Sequence, residues 1–160
     1  MSYFSFIYLG IFSLIISILS FFNIVYSYYF NLYLNLDSYV YSLIISLLFG
    51  LFFLIKKKNK LKISIYTKII TVISGYLFLP AILSIPFYFS IYNISFLDSY
   101  FESISGFTST GFTIIDNIKH LDESLILWRS SSQWVGGLYF LFSIITLLDI
   151  FDNNLKKSLT

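Results

Sequence analysis

The chain has 160 residues, of which 58% are hydrophobic, 22% aromatic and only 11% charged, with a formal net charge of +2 and no cysteine; its mean hydropathy is +0.83. Soluble domains carry about 25% charged residues, so this composition excludes a water-facing surface of ordinary extent and, with it, a nucleic-acid-binding module. It describes a polytopic membrane protein, and the lack of cysteine excludes disulfides, thiolate metal sites and cysteine nucleophiles.

Residues 3–26 form an apolar run broken only by serines, Gly10 and Asn23. At ~1.5 Å per residue a helix of this length crosses a ~30 Å hydrocarbon core. No basic segment precedes it and no small-residue cleavage site follows, which weighs against a signal peptide. Tyr26, Tyr28 and Tyr29 then mark a membrane–water interface. A second run covers 39–55, with Asp37 or Ser38 as the expected N-cap. It stops at Lys56-Lys57-Lys58-Asn59-Lys60-Leu61-Lys62, which with Lys68 holds six of the ten basic residues. The positive-inside rule puts this connection in the cytoplasm; a basic run also suits anionic lipid or a cytosolic partner, but topology is the simpler reading. The third run, 69–92, contains both prolines, Pro80 and Pro86. Each removes a backbone N–H, so the outer half of this helix is predicted to bend and to pack against neighbours that satisfy the freed carbonyls.

Residues 97–113, Leu-Asp-Ser-Tyr-Phe-Glu-Ser-Ile-Ser-Gly-Phe-Thr-Ser-Thr-Gly-Phe-Thr, are too polar to cross a bilayer in the ordinary way. Asp98 as N-cap and the spacing of Tyr100, Phe101, Ile104 and Phe107 predict a helix of about three turns ending at Gly106. Ten helical residues reach ~15 Å, about half of the hydrocarbon core, and six extended residues return ~20 Å, so the stretch has the dimensions of a re-entrant pore loop. Irregular backbone at membrane depth must be buried in protein or line a water-filled path. The carbonyls of Ser109, Thr110, Gly111 and Phe112 are then placed to replace the hydration shell of a cation, at the negative end of a helix dipole. Gly111 permits the dihedrals such a ladder needs. An extracellular Ser/Thr-rich turn without any role is the plain alternative.

Asp116, Lys119, His120, Asp122 and Glu123 form a hydrophilic connection, more acidic than basic, which the charge rule places outside. The fourth run covers 124–150, polar over Trp128-Arg129-Ser130-Ser131-Ser132-Gln133-Trp134-Val135-Gly136-Gly137 and apolar beyond; the tail to Thr160 is placed in the cytoplasm. The expected architecture is an all-α integral membrane protein with four transmembrane helices and one re-entrant pore helix and filter loop, both termini cytoplasmic.

Phe101-Glu102-Ser103-Ile104-Ser105-Gly106-Phe107-Thr108-Ser109-Thr110-Gly111, followed by Leu127-Trp128-Arg129 and Gln133-Trp134-Val135-Gly136-Gly137, resembles the first pore repeat of the Trk-type potassium uptake proteins. Ser84-Ile85-Pro86-Phe87 resembles that family's Leu-Pro-Phe turn, and the first two helices resemble the N-terminal hairpin of its bacterial members. The resemblance divides the chain into a hairpin, 1–62, and a helix–pore loop–helix repeat, 63–160. It implies a potassium-conducting subunit of the bacterial inner membrane, built from four such repeats, usually dimeric and regulated by a cytosolic nucleotide-binding ring protein. Ser109, Thr110, Gly111 and Phe112 would supply one quarter of the filter, potassium being the transported ion and no cofactor being needed. Ser109 stands where the family usually has Thr and Phe112 where it has a small residue; because backbone carbonyls coordinate the ion, these departures matter less than a lost glycine would. Only the first of the four repeats is matched, which fits an N-terminal fragment or a chain that assembles with others.

Glu102, a lone charge that costs ~3 kcal/mol or more near a bilayer centre, is expected to pair with Arg129 rather than to draw cations to a pore mouth. Arg129, between Trp128 and Trp134, has snorkelling to the interface as its ordinary alternative. His120 reads as solvated surface, and Gly136 and Gly137 as sites of close helix packing. An intramembrane hydrolase using Ser103, Ser105 or one of Ser130, Ser131 and Ser132 with His120 as base lacks any recognisable acid–base spacing. A membrane-embedded accessory protein that transports nothing stays open; it should tolerate substitution of Gly111, whereas a conducting filter should not.

Overall fold

The computed structural model describes residues 6–55, 65–91, 94–116, 118 and 121–158, with side chains as far as Asp149. The basic connection 56–62, Lys119 and His120 lie outside the described residues. The elements are α1 (Ile7–Tyr29), a 3₁₀ turn (Tyr33–Asn35), α2 (Leu36–Ile55), α3 (Ile65–Ser90), α4 (Phe96–Phe107) and α5 (Glu123–Ser158), with no strand among the described residues. The segments Ile7–Tyr29, Tyr33–Ile55, Ile65–Ser90 and Glu123–Asp149 are long and apolar enough to cross a membrane. α5 continues as one helix through most of the expected tail.

The outside of the bundle is apolar, and its inside combines an aromatic and aliphatic core around Phe12, Leu79, Trp128 and Tyr139 with a seam of small polar residues. α1 buries Ser13, Ser17, Ser20, Asn23 and Ser27, and α2 buries Ser38, Ser42 and Ser46, while Phe21, Phe22, Leu48 and Phe52 face outward. Small residues let two helix backbones approach where lipid, not water, covers the outer face. α1 and α2 come close at Gly10 and Gly50, where a Cβ on Gly10 would stand 3.0 Å from the Gly50 carbonyl. Further along, the Ser20 and Ser42 hydroxyls meet at 3.2 Å. α1 ends in a left-handed residue, Asn31 at φ 57. The Leu32 N–H returns to Ser27 O at 2.8 Å and the Asn31 N–H to Tyr28 O at 3.4 Å, a Schellman closure that turns the chain directly into α2. The N-cap expected at Asp37 or Ser38 falls earlier. Asp37 lies inside the first turn of α2, and Ser38 Oγ donates back to Asn35 O at 2.6 Å.

α3 keeps both prolines inside one helix. Carbonyls one position after those that the prolines leave without an N–H partner are met from neighbouring elements. Tyr100 of α4 donates its hydroxyl to Leu77 O at 3.0 Å, and Trp128 of α5 donates Nε1–H to Leu83 O at 3.0 Å. Tyr139 of α5 lies in the notch made by Gly75, where a Cβ would fall 1.8 Å from its hydroxyl. That hydroxyl reaches Thr71 O at 3.0 Å and Val72 O at 3.1 Å. Its ring packs edge-on against Phe12 (4.8 Å) and Tyr76 (5.1 Å) and lies 5.5 Å from Phe107. Tyr76 of α3 and Tyr139 of α5, the latter backed by Phe12 of α1, thus form the seat on which the last residue of α4 rests.

Candidate functional site

The N-cap of α4 is Ser95, not Asp98. Ser95 Oγ accepts the Asp98 N–H at 3.1 Å and donates to Asp98 Oδ2 at 2.7 Å, so the aspartate is the reciprocal partner of the cap three residues on. The helix runs one residue past Gly106, to Phe107. Its inward face is Ser99, Glu102, Ser103 and Gly106, at the spacing of one helical face, and among the large apolar residues only Phe107 is buried; Phe96, Leu97 and Phe101 face outward. Of the residues whose spacing predicts the helix, Phe101 faces outward, Tyr100 and Ile104 are half-buried and Phe107 is buried, so that pattern marks no single face.

The chain after Phe107 forms no strand and hydrogen-bonds back to α4. The Thr108 N–H reaches Ile104 O at 2.8 Å, the Ser109 N–H reaches Gly106 O at 2.9 Å and the Thr110 N–H reaches Ser105 O at 3.1 Å. Ser105 Oγ donates to Phe112 O at 2.6 Å. Glu102, fully buried, accepts the Thr113 hydroxyl and the Ile114 N–H (2.7 Å) on Oε1. Ser109 and Gly111 hold positive φ, 56 and 79. A Cβ at Gly111 would meet nothing within 4 Å, so glycine is needed there for its dihedral alone. The carbonyls of Ser109, Thr110 and Gly111 accept no hydrogen bond from any described residue and stand on exposed backbone.

On its other oxygen Glu102 faces Arg129, with Nε 3.3 Å from Oε2 and the arginine side chain 12% exposed. The N–H is not aimed at the carboxylate, so Oε2, Nε and Nη2 have no hydrogen-bond partner among the described residues; what joins the two groups is charge. Arg129 therefore turns inward instead of snorkelling, and Trp128 beside it is fully buried. Gly136 presses against the end of α4: a Cβ there would lie 1.7 Å from Phe107 O. Gly137, expected to serve the same packing, meets nothing within 4 Å. It opens instead onto a cleft of about 390 Å³ at the foot of the turn, lined also by Tyr76, Thr108, Ser109 and Phe140. The Ser103, Ser130, Ser131 and Ser132 hydroxyls all donate to carbonyls of their own helices, which leaves none of them poised as a nucleophile. No group of three or more metal-ligating side chains occurs among the described residues. The residues that sequence reasoning missed are Ser95, Ser105 and Thr113. The Ser-x-x-Asp spacing at 95–98 could have revealed the first; the other two needed the path of the returning chain.

Four apolar spans and a short helix with a hydrogen-bonded return define a polytopic helical membrane protein. The model of the TrkH family, described as cation transport protein, matches residues 35–160, and the chain belongs to that family. It is 36% identical over 87 residues to a protein of Methanocaldococcus jannaschii named uncharacterized cation transporter (54% of this chain, 18% of the relative). It is 37% identical over 76 residues to the Trk system potassium uptake protein TrkI of Halomonas elongata (48% and 14%). Over 58 residues it is 34% identical to TrkG of Escherichia coli (36% and 12%). The match thus spans less than a fifth of each of these relatives, which are transport proteins and not enzymes. No solved structure matches the chain.

Proposed function

We propose that this chain carries potassium-pathway machinery of the Trk type: α4 is a re-entrant pore helix, the segment 108–113 is the returning filter strand, and together they supply one quarter of a selectivity filter. The observation that carries this reading is the state of the backbone at 109–111. Three consecutive carbonyls have no hydrogen-bond partner among the described residues, on a segment whose N–H groups from Thr108 to Gly111 turn to the helix behind it and whose glycine holds φ 79. In lipid, unpartnered carbonyls are tolerated only beside water or an ion, and carbonyl oxygens in series are what a dehydrated potassium ion requires. Relatives named as potassium uptake proteins support the choice of ion.

The remaining three quarters of the filter come from further repeats or subunits, and the repeat 63–160 is the unit that meets them, with the hairpin 1–62 packed behind it. The protein resides in the inner membrane with both termini in the cytoplasm, where the basic connection 56–62 also lies, within reach of a nucleotide-binding regulatory protein. The test is a graft of this chain in place of the aligned segment of a Trk potassium uptake protein, expressed in a bacterium lacking potassium uptake. Growth at low potassium that Gly111→Asp abolishes, with equal protein in the membrane, is the expected result. A graft that sustains growth regardless of Gly111, or one that reaches the membrane and sustains none, refutes the reading and leaves a non-conducting accessory role.

A further inference from the structure

We propose that Ser105 is the positioning residue of this ion path: its carbonyl aims the row of filter carbonyls and its hydroxyl ends that row at Phe112. The inference rests on the reading of 108–113 as a filter strand. It concerns a residue buried in the last turn of α4, whose carbonyl, like the others at a helix C-terminus, has no partner within the helix. That carbonyl accepts the Thr110 N–H at 3.1 Å, with the Gly111 N–H 3.5 Å from the same oxygen, and the Thr110 hydroxyl at 3.2 Å. In a trans peptide the N–H and the preceding C=O point in opposite directions. Turning the Thr110 and Gly111 N–H groups toward Ser105 therefore turns the Ser109 and Thr110 carbonyls away from α4, onto the open side of the segment. At Phe112 the sense reverses. There the carbonyl itself is drawn to Ser105 Oγ at 2.6 Å, so it faces α4 and leaves the row. One residue thus separates the outward carbonyls of Ser109 and Thr110 from that of Phe112, which is turned inward, while Phe112 itself stands 72% exposed.

Ser105→Ala separates the two roles, because it keeps the carbonyl and removes the hydroxyl. The sequence contains two Phe–Thr peptides, Phe107–Thr108 and Phe112–Thr113, so in the full chain labelled with carbonyl-¹³C phenylalanine and ¹⁵N threonine, a ¹⁵N-edited carbonyl experiment in detergent micelles selects two signals out of all the labelled phenylalanine carbonyls. Ser105→Ala is expected to move the Phe112 carbonyl upfield, as a carbonyl released from a hydrogen bond moves, and to leave Phe107 in place; Ser103→Ala moves neither. A Phe112 signal unchanged by Ser105→Ala overturns the proposal. In the graft, Ser105→Ala is expected to lower the preference for potassium over sodium several-fold, and Ser105→Thr, which retains the hydroxyl, to restore it. An unchanged preference in Ser105→Ala, in a graft that Gly111→Asp silences, overturns the positioning role while the filter reading stands. A graft indifferent to Gly111→Asp fails at the filter reading itself, whatever the Phe112 carbonyl does.

Discussion

Two adjacent glycines of α5 should respond to the same substitution with opposite signs. At Gly136 a Cβ would lie 1.7 Å from Phe107 O, 2.5 Å from its carbonyl carbon and 2.7 Å from its Cα. All three are backbone atoms, so no rotamer change relieves the overlap; α5 or the end of α4 must move by more than an ångström. Overpacking of this kind costs about 1–3 kcal/mol, while alanine in place of glycine returns up to ~1 kcal/mol of helix propensity. With Phe107 held on its aromatic seat the clash dominates, and the expected net loss is about 2 kcal/mol. For a chain of this size that is a fall in Tm of roughly 4–8 °C. Gly137→Ala meets nothing within 4 Å, so only the propensity gain of up to ~1 kcal/mol remains, a rise of about 2–4 °C. Thermal unfolding of the purified chain in one detergent, followed by intrinsic tryptophan fluorescence, compares the two directly. A Gly136→Ala protein as stable as the parent, or equal losses at both positions, would refute the argument that α5 seats the end of α4 through a backbone contact.

Glu102→Gln leaves Arg129 nearly buried without its counter-charge and is expected to cost about 3 kcal/mol. Arg129→Gln strands the carboxylate in the same way, and the double mutant should lose less than the sum of the singles by more than ~1 kcal/mol; additive losses in a detergent unfolding cycle count against the pair. Gly75→Ala pushes the Tyr139 hydroxyl out of its notch and should lower stability by about 1–3 kcal/mol. Tyr139→Phe gives up only its bond to the Thr71 and Val72 carbonyls, about 1 kcal/mol, and a Gly75→Ala loss no larger than that would argue against the notch. The ion pair of Lys68 with Asp149, whose carboxylate is 56% exposed, should contribute less than ~1 kcal/mol. Lys68→Ala is therefore expected to shift Tm by no more than about 4 °C, and less in high salt.

The spans were legible because hydropathy over twenty residues is a bulk property that tertiary contacts seldom override. Their ends were less so. The 3₁₀ turn before α2 and the Schellman closure at Asn31 depend on which carbonyl each N–H finds, which composition does not report. In α4 the helix was legible but its inner face was not: Tyr100, Phe101, Ile104 and Phe107, whose spacing predicts the helix, range from exposed to fully buried, and the inner face is Ser99, Glu102, Ser103 and Gly106. Glu102 and Arg129 were legible as a pair because a charge in an apolar chain needs a partner and few were within reach. Gly136 and Gly137 were indistinguishable in sequence, since which of two neighbouring glycines meets a backbone depends on the rotation of α5 about its axis. Ser105 went unweighted as a support because its role exists only once the chain has turned back over it.

The charges around α4 bear on how the segment can favour a cation. Arg129 lies 3.3 Å from Glu102 Oε2, so the carboxylate and the guanidinium offset each other and little of the formal charge of Glu102 is left to act at a distance. The other carboxylate oxygen is engaged by Thr113 and Ile114. Glu102 thus holds the returning chain, and in the proposed filter the attraction of a cation would fall to what is not neutralised: the negative end of the α4 dipole and the carbonyls of 109–111, which have no partner among the described residues. Coordination by carbonyl dipoles is sensitive to their direction, because only an oxygen turned toward the path can replace an oxygen of the ion's hydration shell. The hydrogen bonds from Ser105 and Glu102 to 110–114 are therefore as much a part of such a site as the oxygens that would touch the ion.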